Sequence, residues 1–313
     1  MNCVMLMAAL LTVLSFGLLF VGAELLVRGG VGLALRLGLT ALVVGLTVVA
    51  YGTSSPELLV SVKAAFLGQS GISVGNVIGS NIFNIAVILG LAALIKPIRA
   101  SSEIIRRDGP VMVLVTLLGM VALWDSRIER WEGVLLLLGS IIYTWWIVRH
   151  ARREAGDKDE SLTEMGLGKA LIFILMGLGV LVLGSQLLVT NAVFMARSWG
   201  VSEAVVGLTI IAAGTSMPEL ATSVVGAIRG QSDISLGNVV GSNIFNLLFV
   251  LGMASVIHPI QAVGIRGVDQ LFMLGLAVLL TPLMWTGKVI GRKEGALLLM
   301  IYAAYLWIVW PKS

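Results

Sequence analysis

An internal repeat constrains this chain more than any other feature. Residues 52–90 read GTSSPELLVSVKAAFLGQSGISVGNVIGSNIFNIAVILG, and residues 214–252 read GTSMPELATSVVGAIRGQSDISLGNVVGSNIFNLLFVLG, 162 positions later (214 − 52 = 162). In this alignment, 25 of the 39 positions are identical. The register extends upstream to Val43 and Val205 and downstream to Lys96 and His258. We interpret this as a duplication of half the chain, so the fold must contain two similar halves.

The environment of the fold follows from its composition. Across 313 residues the chain is 58% hydrophobic and 12% charged, with a mean hydropathy of +1.01, which is far more apolar than a water-soluble domain. A helix of about 20 apolar residues crosses the roughly 30 Å of hydrocarbon in a bilayer. We therefore predict an all-α integral membrane protein with ten spanning helices, at residues 3–27, 38–66, 71–95, 108–125, 131–149, 168–196, 202–228, 234–257, 267–286 and 294–311.

A polar, highly charged segment divides the chain. The predicted organisation is a first five-helix repeat (1–150), a cytoplasmic linker (151–167) and a second five-helix repeat (168–313). Because five is odd, the second repeat must enter the membrane upside-down relative to the first, which gives two inverted-topology repeats. If both termini lie outside, 15 of the 21 Lys and Arg residues face the cytoplasm, as the positive-inside rule requires. We expect a multi-pass protein of the cell inner (plasma) membrane in this orientation, with membrane lipid around it.

Both copies place a proline in the middle of a predicted span. Pro56 and Pro218 cannot donate a backbone hydrogen bond and clash with the preceding turn, so each helix must kink or break there. Backbone carbonyls around 52–54 and 214–216 then lose their partners inside the helix. Unpaired carbonyls at membrane depth are tolerated where protein, water or an ion satisfies them, and they are good ligands for hard cations.

The same motifs supply acidic, hydroxyl and amide side chains. Glu57 and Glu219 lie in the apolar spans, where a carboxylate is costly and usually functional. The oxygen donors predicted around them are Thr53, Ser54, Ser80 and Asn84, with Thr215, Ser216, Ser242 and Asn246 in the second copy. If the copies meet at the midplane, this oxygen cage with two negative charges suits Ca²⁺ or Na⁺ better than a transition metal, which prefers His or Cys ligands.

Other roles compete for some of these residues. Each glutamate could instead be protonated and bonded to a neighbouring helix, and the hydroxyl groups could bond back to the preceding turn. Asn81 and Asn243 could equally serve to hold helices together. Glu24 precedes Arg28 by one turn, so we predict an ion pair rather than a ligand, and His258 is expected at the interface. The pattern indicates no nucleotide or nucleic-acid binding, and we expect no cofactor, no catalytic site and no required protein partner.

At the two signature blocks, "GTSxPE" followed by "GNxxGSNxxN", the sequence resembles the calcium/cation antiporter superfamily, particularly its prokaryotic sodium/calcium exchanger branch. The resemblance covers nearly the whole chain. It implies adjacent ion sites at mid-membrane, and first and sixth spans that slide across fixed ion-binding helices. It makes Glu57 and Glu219 the central ligands, and adds the backbone carbonyls of Ala50 and Ala212 to the oxygen donors named above. Some members carry an aspartate where this chain has Asn246, which makes potassium dependence less expected.

We therefore predict a secondary-active antiporter that exports Ca²⁺ in exchange for Na⁺ or H⁺ by alternating access at one shared site. Two carboxylates are neutralised by one Ca²⁺ or by two protons, so charge alone leaves the counter-ion open. The alternative is a passive cation channel built from the same oxygens, against which inverted repeats with broken helices argue. An intramembrane hydrolase is a third possibility, but no His or Ser–Lys arrangement accompanies the carboxylates within the spans.

Overall fold

The structure, a computed structural model, describes residues 2–154, 165–199, 212–262 and 264–309. The first half comprises α1 (Asn2–Arg36), α2 (Ala41–Val44), π1 (Gly45–Val49), α3 (Ala50–Thr53), α4 (Ser55–Phe66), α5 (Ser70–Phe83), π2 (Asn84–Leu89), α6 (Gly90–Ile95), β1 (Ile98–Arg99), π3 (Ile104–Asp108), α7 (Gly109–Ala122), β2 (Arg127–Ile128) and α8 (Arg130–Glu154). The second half comprises α9 (Leu167–Ser198), α10 (Ala212–Thr215), α11 (Met217–Ile228), α12 (Ser232–Phe245), π4 (Asn246–Val250), α13 (Leu251–Ile257), β3 (Ile260–Gln261), α14 (Gly267–Trp285), β4 (Val289–Ile290) and α15 (Arg292–Val309).

The described residues form a multi-helix membrane fold. Six of their helical segments are long and apolar enough to cross a bilayer, and a seventh is the pair Ala41–Thr53 and Ser55–Phe66, bent by 46°. The bend confirms the kink predicted before Pro56. Helix α1 runs nine residues beyond the predicted end at 27. Residues 155–164 of the predicted linker and 202–211 of the predicted seventh span lie outside the described residues.

The two copies of the repeat turn back on themselves in the same way. Helix α4 is followed by Gly68 with φ +69°, and helix α11 by Gly230 with φ +76°, a left-handed conformation that glycine adopts at little steric cost. The next residue in each copy then donates its amide to the preceding helix, Gln69 to the carbonyl of Ala64 and Gln231 to that of Gly226, both at 2.8 Å. This helix ending lets α5 and α12 fold back along α4 and α11.

Two short strand pairs map onto each other when the two halves of the chain are interchanged. Ile98 and Arg99 of β1 pair with Ile290 and Val289 of β4. Adding 162 to the first strand and subtracting it from the second (98 + 162 = 260; 290 − 162 = 128) gives the pair formed by β2 and β3, where Ile128 lies opposite Ile260. This strand contact between the halves therefore has a counterpart with the roles reversed, as expected for a pseudo-two-fold relationship.

The buried apolar residues form two separate clusters. The larger one joins residues from α5 to α8 with residues of α11 to α15, and the smaller one joins α1 and α9 with a few residues of α2, π1, α11 and α12. Helices α1 and α9 approach closely, since a Cβ on Gly22 would lie 2.8 Å from the backbone nitrogen of Leu181 and one on Gly177 would lie 2.7 Å from that of Leu26. Glycine permits this approach, which makes α1 and α9 a tightly packed pair beside α11 and α12.

Candidate ion-binding site

The break in each repeated span sets an acidic residue at the start of a new helix. Ser54 and Ser216 adopt φ/ψ of −81°/9° and −89°/11°, outside the helical range, and α4 and α11 begin directly after them with a proline in the first turn. Glu57 and Glu219 lie in those first turns and are each 1% exposed. A helix N-terminus favours negative charge, because its first amide groups point outward without partners.

Each carboxylate is held by the other half of the molecule. Ser54 Oγ donates to Glu219 Oε1 at 2.8 Å, and Ser216 Oγ donates to Glu57 Oε1 at 2.7 Å. These two bonds are counterparts under the repeat (54 + 162 = 216; 57 + 162 = 219). The structure therefore brings the two predicted acidic residues and the two predicted serines into one buried cluster.

The remaining predicted hydroxyl residues surround this cluster. Ser80 lies 3.2 Å from Ser216 Oγ and 3.5 Å from Glu57 Oε1. Its counterpart Ser242 is fully buried, and its hydroxyl has no hydrogen-bond partner within the described residues. Thr53 Oγ1 donates to Asn238 Oδ1 at 3.0 Å, so it too reaches across to the other half. Thr215 is the last residue of α10, immediately before the second break.

The backbone carbonyl of Ala50, one of the two carbonyls predicted as ligands, has hydrogen-bond partners within the fold. The carbonyl of Ala50 accepts the amide of Ser54 at 3.0 Å and the hydroxyl of Thr53 at 3.3 Å. The bond from Ser54 has ordinary α-helical spacing, so the last turn of α3 gives this oxygen a partner despite the helix break. Its counterpart Ala212 is the first residue of α10.

Within the described part of the chain, more than half of the buried oxygens that lack a partner belong to the predicted ligands. Nine buried side-chain atoms among the described residues have no hydrogen bond, and five belong to predicted ligands: Glu57 Oε2, Glu219 Oε2, Asn84 Oδ1, Asn246 Oδ1 and Ser242 Oγ. Buried polar atoms are paired in most structures, so such a concentration requires an explanation. Carboxylate, amide and hydroxyl oxygens together form the ligand set of a hard cation. Among the described residues, no three His, Cys, Asp or Glu side chains lie together so that they could hold a metal ion. This also fits a cage of mixed oxygens.

Two asparagines escaped the sequence-based prediction. Asn76 Nδ2 donates to the backbone oxygen of Glu57 at 3.1 Å and to Ser61 Oγ at 2.9 Å. Its counterpart Asn238 donates to the backbone oxygen of Glu219 at 3.3 Å and also accepts from Thr53. Both hold a glutamate-bearing helix against the following helix. The signal was available, because this asparagine recurs in both copies of "GNVxGSN".

The residues set aside as non-ligands lie away from the carboxylates. Glu24 pairs with Arg28 at 2.6 Å, as predicted, and its second oxygen accepts from Arg229 at 2.8 Å. That second contact joins α1 to the end of α11. His258 is exposed and lies within 2.9 Å of the carbonyl of Pro259.

Comparison with known proteins identifies the family. The sequence model for "Sodium/calcium exchanger protein" matches residues 7–149 and 169–310. The chain belongs to this family. The exchanger is 40% identical to the putative antiporter CaxA of Alkalimonas amylolytica, over 97% of this chain and 99% of that one. It is 38% identical to the inner membrane protein YrbG of Escherichia coli, over 82% and 81%, and 30% identical to the sodium/calcium exchanger MaX1 of Methanosarcina acetivorans, over 95% and 97%.

Solved structures agree with the sequence comparison. The exchanger superimposes on the sodium-calcium exchanger NCX_Mj, soaked with 10 mM Na⁺ and zero Ca²⁺, with a TM-score of 0.85 and 30% identity, over 98% of this chain and 100% of that one. The predicted resemblance to the prokaryotic branch of the calcium/cation antiporters is therefore confirmed, and so is the multi-pass membrane fold.

Proposed function

We propose that this exchanger is a secondary-active antiporter that exports Ca²⁺ in exchange for Na⁺ at a single buried site. The observation that carries the proposal is the set of five unpaired oxygens on the predicted ligands. Two of these oxygens belong to the carboxylates of Glu57 and Glu219, which are each 1% exposed. The names of MaX1 and NCX_Mj as sodium/calcium exchangers support the choice of ions. Sodium and calcium are both hard cations that prefer oxygen ligands, so they compete for the same carboxylates.

The ligands in this proposal are the side chains at the two helix breaks and on the helices that follow. Glu57 and Glu219 are the central, charged ligands. The neutral oxygens around them come from Thr53, Ser54, Ser80, Asn84, Thr215, Ser216, Ser242 and Asn246, and from the backbone of Ala50 and Ala212. The unpaired atoms support the acidic, amide and Ser242 ligands most directly.

Alternating access also needs a particular topology. We infer ten spans in two inverted five-helix repeats, 1–150 and 168–313, with both termini outside and the segment 151–167 in the cytoplasm. The exchange relation between the strand pairs supports two related halves, and the distribution of Lys and Arg supports the orientation. Sodium and calcium coupling then follows if the site opens to one side at a time. A channel would need a continuous water path, whereas both carboxylates are enclosed.

Ion flux in liposomes tests the proposal. The full chain would be purified and reconstituted, and uptake of radioactive Ca²⁺ would be measured with an outward Na⁺ gradient, an outward proton gradient or no gradient, at clamped membrane voltage. We expect uptake to require internal Na⁺ and to slow when external Na⁺ is raised to the internal concentration. Uptake driven only by protons would replace the counter-ion, and uptake independent of any opposing ion would establish a channel. The Glu57→Gln/Glu219→Gln double variant is the inactive control.

A further inference from the structure

Four asparagines form a buried group where the two halves meet. Asn81 and Asn84 lie on one repeat, Asn243 and Asn246 on the other, and all four are at most 2% exposed. Asn81 Nδ2 donates to the backbone oxygen of Asn243 at 3.1 Å, and Asn243 Nδ2 donates to the backbone oxygen of Asn81 at 3.3 Å. We call this reciprocal arrangement the amide clasp.

The clasp fixes which way each amide points. A backbone carbonyl can only accept, so the Asn81 atom beside the carbonyl of Asn243 must be the NH₂ group. The oxygen of Asn81 therefore faces Asn246, and the Asn246 atom 3.1 Å away must be a donor, its Nδ2. The same reasoning sets Nδ2 of Asn84 at 3.0 Å from Oδ1 of Asn243. An asparagine whose NH₂ group is held in this way presents its oxygen on the opposite side.

Those opposite oxygens are the ones that lack a partner. Asn84 Oδ1 and Asn246 Oδ1 have no hydrogen bond among the described residues. Asn84 follows Ser80 by four residues, which places both side chains on one helix face, and Ser80 contacts the carboxylate of Glu57. Asn84 and Asn246 are also the first residues of π2 and π4, and such irregular turns are frequent at functional sites.

We propose that Asn81 and Asn243 are positioning residues that orient the ion-binding amides of the opposite repeat. Asn81 fixes the orientation of the Asn246 amide, and Asn243 fixes that of the Asn84 amide. Each repeat therefore determines whether the amide of the other repeat presents its oxygen or its NH₂ group to the cation. The proposal rests on the proposed function, because it assumes that both oxygens bind the transported ion. Without the clasp, an amide can rotate and turn its NH₂ group toward a positive ion, which weakens binding.

A role in helix packing alone predicts a different pattern of effects. In that case removing Asn81 destabilises the protein but does not act on Ca²⁺ binding through Asn246 in particular. Orientation across the repeats predicts that the effect of removing Asn81 on Ca²⁺ binding depends on the presence of Asn246. In the same way, the effect of removing Asn243 should depend on Asn84. It predicts independent effects on Ca²⁺ binding for Asn81 and Asn84, and for Asn243 and Asn246, although the two residues of each pair are only three positions apart in the sequence.

Double-mutant cycles on Ca²⁺ binding distinguish the two roles. The dissociation constant would be measured on the purified full chain in detergent for Asn81→Leu, Asn84→Leu, Asn246→Leu and the double variants that contain Asn81→Leu. We expect each single variant to weaken binding by about ten-fold. Combining Asn81→Leu with Asn246→Leu should cost little more than either alone, whereas Asn81→Leu with Asn84→Leu should multiply the losses. Asn191→Leu is the matched control, since Asn191 is buried but bonds within its own helix, and it should bind Ca²⁺ normally.

Two results would overturn the proposal in distinguishable ways. Multiplied losses in the Asn81→Leu/Asn246→Leu variant, with each single variant impaired, would leave the ion site intact and reduce the clasp to packing. Normal binding by Asn84→Leu and Asn246→Leu would remove these amides from the ligand set, and the clasp proposal with them. If the leucine variants do not fold, Asn81→Ala and Asn246→Ala remove the same groups with less bulk and give the same cycle.

Discussion

The two copies of the repeat agree at the carboxylates and differ around them. The bonds from Ser54 to Glu219 and from Ser216 to Glu57 differ by only 0.1 Å (2.8 − 2.7). On the helices that follow, α5 and α12, the copies diverge, because Ser80 contacts Ser216 and Glu57, whereas the hydroxyl of Ser242 has no partner within the described residues. The two halves are therefore equivalent where they hold each other's charge, and unequal one contact further out.

A second difference lies at one end of the site helices. Glu24 bonds both Arg28 and Arg229, and so ties α1 to α11. The corresponding positions in the other copy are Gln186, Thr190 and Leu67 (24 + 162, 28 + 162 and 229 − 162), which cannot form an ion pair. This charged tie between the halves therefore has no counterpart under the repeat.

The largest test of equivalence is removal of either acidic group. Glu57→Gln and Glu219→Gln each keep the volume of the side chain and an acceptor for the serine of the other repeat, but remove one of two negative charges. Loss of one charge from a buried ionic cluster costs about 3–5 kcal/mol, so we expect Ca²⁺ flux in liposomes to fall on the order of a hundred-fold in both variants. A variant that transports at a near-normal rate, while its counterpart does not, would break the equivalence of the two repeats.

A smaller effect should separate the two serines. In Ca²⁺-free protein, Ser80→Ala removes a hydroxyl that bonds Ser216 and Glu57, which should lower stability by about 0.5–1.5 kcal/mol. Ser242→Ala removes a buried hydroxyl without a partner, so stability should stay the same or rise. The measurement is the thermal unfolding midpoint of each variant in the presence of a chelator. Equal destabilisation by both substitutions would show that Ser242 is bonded like Ser80.

With Ca²⁺ added, the same pair of serine variants should converge. If both hydroxyls bind the ion, Ser80→Ala and Ser242→Ala should each gain less stability from Ca²⁺ than the unsubstituted chain, because a weaker ligand stabilises the folded state less. A full gain by Ser242→Ala would remove Ser242 from the proposed ligand set.

The smallest expected effect belongs to the charged tie. The arginine partners of Glu24 are about half exposed, at 58% for Arg28 and 49% for Arg229, and exposed ion pairs contribute about 0–1 kcal/mol. Glu24→Gln should therefore change the unfolding midpoint slightly, and the difference should vanish in high choline chloride, because salt screens exposed charges. A large, salt-insensitive loss would mean that Glu24 acts on the fold by something other than exposed charge.

The sequence predicted most of the residues that the structure brings together, because the features that mark them lie within short stretches of the chain. The proline in each signature block indicated the helix break, and the apolar surroundings marked Glu57 as functional. Asn76 was missed because its side chain bonds the backbone oxygen of Glu57 and not the Glu57 carboxylate. The sequence did not show that the carbonyl of Ala50 accepts the amide of Ser54, because the helix break made the end of α3 hard to place.

The chain by itself determined a helical membrane fold in two halves, because uninterrupted apolar runs must pair their backbone groups internally and a repeated sequence folds twice in the same way. Only the tertiary structure decided which hydroxyl holds which carboxylate and which amide faces which, for example Ser54 with Glu219, 165 residues apart. The physical reason is that helical periodicity fixes the face on which a residue lies, whereas the partner of that face depends on how the two halves pack together.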